Sequence, residues 1–189
     1  FGARYIGGEE RTKSGTTALD AVQFDTVLNW IRLEATLDKY FQASNLFKVG
    51  VFAKGVLSNQ PFFNNYTASV LAAPAFEPLS ESKTLFQQNF RAHTYFGVGL
   101  KNIYQLSKNM QFRVEGYLFQ PHQNILENEK KEAYYGKVWD QGHFIYSSSL
   151  VYTTPIGPIA MNANYYQLED NWSFLFHFGY LIFNKKSLE

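Results

Sequence analysis

An alternation of apolar and polar side chains with a period of two constrains this sequence more than any other feature. It returns in eight segments, and in the clearest of them charge keeps to one side. Along residues 111–119, Phe112, Val114 and Leu118 share one face with Gly116, while Gln111, Arg113, Glu115 and Tyr117 share the other. Along 46–54, Phe47, Val49, Val51 and Ala53 oppose Lys48, Gly50, Phe52 and Lys54. Along 96–101, Phe96, Val98 and Leu100 oppose Gly97, Gly99 and Lys101. Near the end, Phe174, Phe176, Phe178 and Tyr180 oppose Ser173, Leu175, His177 and Gly179. Successive side chains of an extended strand point to opposite faces, so each segment reads as a strand between two unlike environments.

The segments fall at about 1–8, 22–40, 46–57, 93–106, 111–120, 143–154, 158–168 and 172–184. Short connections (Ala43-Ser44-Asn45, Lys108-Asn109, Pro155-Ile156-Gly157) alternate with long ones at 9–21, 58–92 and 121–142. Strands of about ten residues joined by alternately short and long connections are the pattern of an antiparallel transmembrane β-barrel. Composition agrees: 18% of residues are aromatic, yet only 17% are charged and the mean hydropathy is negative. A membrane barrel spreads its rings over its outer face and gathers them at the two interfaces. The expected fold is therefore all-β, one barrel region over 1–189. Lys48, Lys54, Lys101, Arg113 and His177 would face its lumen, and Phe174, Phe176, Phe178 and Tyr180 its lipids. A lipocalin-like or sandwich fold stays open, because alternation does not say which face is wet.

Several functions are disfavoured. Seventeen basic and 16 acidic residues give a net charge of +1, which offers no field for nucleic acid. The lack of cysteine excludes disulfides and thiolate chemistry. No apolar run is long enough for a transmembrane helix, and Phe1 opens without a charged and then apolar leader, so an export signal is expected upstream. His93, His122, His143 and His177 lack ligand spacing, so no metal and no cofactor is expected. Glu127, Glu129, Lys130, Lys131 and Glu132 read as a solvated loop run. Asn65-Tyr66-Thr67 and Asn171-Trp172-Ser173 match a glycosylation pattern by chance. Gly97-Val98-Gly99 precedes no helix, so these glycines read as places where a loop packs closely.

The C-terminal stretch carries a resemblance. Gly142-His143-Phe144 through Ser149-Leu150-Val151-Tyr152, the turn Thr154-Pro155-Ile156-Gly157-Pro158-Ile159, and Phe174-Leu175-Phe176-His177-Phe178-Gly179-Tyr180-Leu181-Ile182-Phe183-Asn184-Lys185-Lys186 resemble the last three strands of the barrel in Bacteroidota patatin-like phospholipases. That barrel is similar to the surface-antigen superfamily of outer-membrane assembly and secretion barrels. The resemblance implies the C-terminal half of a sixteen-stranded barrel in the bacterial outer membrane, with a periplasmic C-terminus. Its implied partners are outer-membrane lipids and the missing N-terminal half, or a second copy of the chain. It also implies a Ser-Asp hydrolase domain elsewhere, since the chain has no Gly-x-Ser-x-Gly and no Asp-Gly pair and hence no catalytic residues of its own. A self-contained eight-stranded barrel, or the barrel of an assembly or secretion factor, shares the same expected fold.

The 58–92 connection is too long to be a simple loop unless it is functional or disordered. In the resembling superfamily this loop enters the lumen, and an Arg near its end contacts an acidic residue on a following strand. Phe90-Arg91-Ala92 and Phe112-Arg113-Val114-Glu115-Gly116 occupy the matching places. The resemblance thus implies an Arg91–Glu115 lock. In the transporter versions the Arg is followed by Gly and the acid is usually Asp.

Overall fold

A computed structural model describes residues 2–13, 23–167 and 171–179 of the chain. It is an all-β structure dominated by one eight-stranded antiparallel sheet. In chain order the strands are β1 (Gly2–Lys13), β2 (Gln23–Ser44), β3 (Phe47–Ser58), β4 (Tyr95–Ser107), β5 (Met110–Pro121), β6 (Gln123–Glu127), β7 (Ala133–Val138), β8 (His143–Thr154), β9 (Gly157–Tyr166) and β10 (Asn171–Phe178). β6 and β7 form a separate hairpin, and the main sheet runs β1-β2-β3-β4-β5-β8-β9-β10. Each neighbour in the sheet is thus the next main strand in sequence, as short antiparallel connections favour. Each of the eight expected segments holds a strand among the described residues, and residues 180–184 of the last lie outside them. No described helix is long and apolar enough to cross a membrane.

The turns after β2, β4 and β8 are tight, and they share one end of the sheet with the close of β10, whereas β1 starts well above that end, opposite Glu34. The long connections gather at the opposite end. β1 runs on to Lys13, so the strand continues into the region expected to be a loop from residue 9. It pairs with residues 23–34 of β2, whereas β3 pairs with 32–44, so the 22-residue β2 carries its two neighbours at staggered levels. β1 and β10 are the edges, and among the described residues neither edge meets a further strand.

The two faces of the sheet differ as the alternation requires. One bears Ile31, Leu33, Leu37, Leu57, Phe96, Val98, Leu100, Phe112, Val114, Leu150, Phe174 and Phe176, all exposed, with Phe174 77% accessible. The other is covered by residues 59–94. Within that segment lie a helix, α1 (Tyr66–Ala72), and two short 3-10 turns (Glu81–Thr84 and Gln88–Phe90). Asn65 starts α1 by accepting the Ala68 amide at 2.7 Å, the ordinary role of an Asn N-cap. The covering segment drops Phe76, Leu79 and Phe90 onto Phe52, Val56, Tyr95, Tyr117, Phe119, Ile145 and Tyr166 of the sheet, forming the buried core.

One cavity of about 460 Å³ is lined at once by Tyr40 of β2, Lys101 of β4, Glu115 of β5, Asn162 of β9 and His177 of β10. Six strand spacings separate β2 from β10, about 29 Å across a flat sheet. A cavity of that size reaches both strands only because the sheet curls, so the covered face is concave and the exposed apolar face convex.

Candidate functional site: the concave face and its inserted loop

The concave face is divided along its length. Toward the long connections it is an aromatic floor on which the inserted loop sits. Phe76 is completely buried, and its ring lies 5.4 Å from Phe119, 6.0 Å from Tyr95 and 6.1 Å from Phe52. The space for it comes from Gly97: a Cβ there would sit 2.1 Å from the Phe76 ring. Gly99 and Gly50 are roofed the same way, by Tyr117 at 2.2 Å and Tyr40 at 2.8 Å. The expectation that a loop packs closely over these glycines holds at Gly97, whereas at Gly99 the nearest group is the Tyr117 ring of the adjacent strand.

Toward the tight turns the same face is polar. Lys101 donates to Asp38 at 2.7 Å and lies over the Tyr40 and Phe52 rings at 5.4 and 5.2 Å. Glu115 accepts from Tyr117, Ser147 bonds Asn164 at 2.6 Å across β8 and β9, and Asn162 donates to Glu81 from the tip of the inserted loop. Charged groups held in a partly dehydrated channel are tolerated when they are paired, and most of these are. Lys54 spans the division, pairing with Glu34 at 3.1 Å and donating to the Ala75 carbonyl of the loop at 3.3 Å.

The structure places the expected site residues as follows. Lys54, Lys101, Arg113 and His177 lie on the concave face, and the last three line the cavity. Lys48 alternates onto the same face but is exposed near the turn end of β3. Phe174, Phe176 and Phe178 are exposed on the convex face, and Tyr180 lies outside the described residues. Among the described residues no three His, Asp or Glu side chains converge.

The Arg91–Glu115 lock needs correction. Arg91 does fasten the loop, but it donates to the carbonyls of Leu71 and Ala73 at 2.9 and 3.1 Å and stacks on Phe86 at 4.9 Å. From the other side, Arg32 of β2 donates to the Ala72 carbonyl at 3.4 Å. Two guanidinium groups therefore cap the C-terminal end of α1, where unsatisfied carbonyls and the negative end of the helix dipole favour cations. Glu115 is directly opposite Lys101 in the β4–β5 register and accepts from Tyr117, while both hydrogen bonds of the Arg91 guanidinium go to the loop's own carbonyls. Burial draws the Arg91 pKa below its ordinary value, an effect opposed by Glu77 rather than Glu115.

A second fastening was not foreseen. His93, 2% accessible, meets the Tyr135 hydroxyl of the β6–β7 hairpin at 2.7 Å, and the Phe62 ring packs on both of them. Burial, with Arg32 nearby, lowers the His93 pKa to about 4, so the imidazole is neutral near pH 7. The residues expected as a 121–142 loop thus form a hairpin tied to the inserted loop. The charged run lies at its tip, where Asn128 Oδ1 accepts the backbone amides of Lys130 and Glu132 at 2.9 Å each.

These features define a class: an antiparallel β-sheet protein, apolar outside its curl and plugged inside by a folded loop. Comparison with family models, with curated proteins and with solved structures finds no match to this chain.

Proposed function

We propose that this chain is the C-terminal half of a bacterial outer-membrane β-barrel that anchors a patatin-like phospholipase and helps to translocate it. The observation that carries the membrane part is the inversion of polarity across the sheet. The convex face keeps its large apolar side chains exposed across every strand, while ion pairs, amides and the inserted loop occupy the concave one. Water-soluble proteins rarely expose continuous apolar surface beyond a few hundred Å². Lipid requires such a surface, with every backbone polar group satisfied inside the sheet. The two edges that are open among the described residues favour completion by further strands, since an exposed edge invites pairing. The phospholipase part rests on the C-terminal resemblance, and any hydrolysis would come from residues outside this chain.

On this reading the tight turns and the C-terminal end face the periplasm, and the β6–β7 hairpin faces outward. The test is fractionation of cells that make the natural polypeptide. It should sediment with the outer membrane, carry acyl-ester hydrolase activity, and be clipped by external protease within residues 128–132. A polypeptide recovered in the soluble fraction would contradict the membrane reading. A membrane-borne polypeptide with no hydrolase activity would contradict the phospholipase reading alone.

A further inference from the structure

The β6–β7 hairpin stands apart from the main sheet and is attached to it through two joints. One is a bend at His122; the other is Trp139, whose φ of 54° a bulky residue rarely adopts. The Trp139 amide donates to the His122 carbonyl at 2.8 Å, so the two joints lie side by side and the hairpin swings about one line. Beyond that line it is fastened to the inserted loop in three ways. Ile125 and Ala133 pack over Val70, Ala73, Phe62 and Tyr66. The Tyr66 amide donates to the Lys131 carbonyl at 2.9 Å. Tyr135 meets His93 at 2.7 Å, which makes a titratable imidazole part of the joint.

We propose that protonation of His93 undoes this fastening, so that the hairpin is an acid-operated lid over the base of the inserted loop. The device needs only the fold and goes beyond the anchoring role. Burial holds the Tyr135 pKa above its ordinary value, so the hydroxyl keeps its proton and donates it to Nδ1 of the neutral ring. The ring's own hydrogen is then on Nε2, which is buried and meets no hydrogen-bond partner among the described residues. A second proton has to enter at Nδ1, against the hydroxyl hydrogen of Tyr135, and its charge lies beside the Arg32 guanidinium, which opposes it. The elements packed around the ring supply no counter-charge: β2 brings Arg32, the loop brings Phe62 and β7 brings Tyr135. Glu34, the carboxylate that attracts Arg32, is engaged by Lys54 at 3.1 Å. An unpaired charge in a dry site is relieved by reaching water. The hairpin is the piece that yields, because the loop beneath it is wedged into the sheet by Phe76 and Phe90. Lifting it bares Val70, Ala73 and Ile125 and loosens the outer end of the loop around Phe62. Acid also acts on carboxylates, and three of them hold partners nearby: Glu10 accepts from the Asn64 amide, Glu127 pairs with Lys131 and Glu132 accepts from Asn128.

The chain has no cysteine, so a thiol at Val70, 3% accessible beneath the hairpin, reports each lifting of the lid. Val70→Cys, and Lys130→Cys as an exposed reference, are reacted with a dipyridyl disulfide, which attacks thiols in acid as well as at neutral pH. The chain is held in detergent micelles, where neither a lipid bilayer nor any hydrolase takes part. The closed ring has a pKa of about 4 and the released ring one near 6.5, so the closed form is favoured above pH 6.5 and lost as pH falls toward 4. The ratio of the two labelling rates should therefore rise about fiftyfold from pH 7 to pH 4.5. His93→Asn and His93→Phe, which cannot take up the charge, should hold the ratio constant. An equal rise in these variants would assign the acid response to the carboxylates and overturn the switch, and so would a constant ratio with His93 in place. Tyr135→Phe keeps the imidazole and removes only the hydroxyl; it should raise the ratio at pH 7 and retain the rise in acid, and an unchanged ratio at pH 7 would deny the contact its fastening role. A ring resonance of His93 that titrates while the ratio stays constant would equally overturn the proposal, even where the His93 variants fail to fold.

Discussion

Replacing Phe76 by alanine should unseat the inserted loop while leaving the sheet intact. The side chain is completely buried between three rings and the backbone at Gly97, so its removal leaves a cavity bounded by strands that cannot collapse inward. Losses of this kind cost about 3 to 5 kcal/mol. With tenfold per 1.4 kcal/mol, the open loop should become roughly a hundred- to a few-thousand-fold more populated. Native-state hydrogen exchange reads this directly at the Phe76 and Ala92 amides, which bond the Phe90 and Pro74 carbonyls within the loop. Amides of β4 and β5 should keep their protection. Gly97→Ala attacks the same contact from the sheet side, because its Cβ would overlap the Phe76 ring, and overpacking of this sort costs about 1 to 3 kcal/mol. The two changes should therefore be strongly non-additive: once Phe76 is alanine, Gly97→Ala should cost almost nothing. Additivity within about 0.5 kcal/mol, the behaviour of independent sites, would refute the proposed seating.

Arg91→Ala should loosen α1 by about 1.5 to 3 kcal/mol through loss of charge-assisted bonds to Leu71 and Ala73, measured as faster exchange of the Ala73 amide, whereas Glu115→Gln should leave that amide unchanged. Acid should open the loop through His93: its folded pKa of about 4 lies below the unfolded value near 6.5, so the neutral form is the one that folding favours. Its contribution is complete above about pH 6.5 and is lost as pH falls toward 4, up to about 3 kcal/mol, and limited proteolysis from pH 7 to 4.5 should show less acid sensitivity in His93→Asn than in the parent. Asn65→Ala should cost about 1 kcal/mol at the start of α1, seen as faster exchange of the Ala68 amide.

The main strands, the three tight turns and the division between faces were legible in the sequence because period two is a local property, set by where successive side chains point. The interior of the curl was not. Phe52 and Tyr117 alternate with Lys54 and Glu115, and only the loop, arriving from 24 and 41 residues away in sequence at Phe76, turns them into a dry floor. The loop lock failed for a related reason. The alternation correctly placed Glu115 on the concave face, but it could not show that Tyr117 and Lys101 already surround it, or that a helix end would present three carbonyls to arginines. Signals for two missed elements were nevertheless present. Asn65 before Tyr66–Ala72 is a helix start, and the Asn128–Glu132 run is the polar tip of a hairpin flanked by Ile125 and Tyr135.

The central claim is that the convex face meets lipid, and the cysteine-free sequence makes β10 the place to measure it. Single cysteines at positions 173 to 178, each carrying a nitroxide in phosphatidylcholine vesicles, report collisions with oxygen, which concentrates in hydrocarbon, and with a water-soluble nickel chelate. The account expects high oxygen and low nickel accessibility at 174, 176 and 178, inverted at 173, 175 and 177, in step with the exposure of Phe174, Phe176 and Phe178. Nickel accessibility at Phe174, Phe176 and Phe178 equal to that at His177 would contradict it.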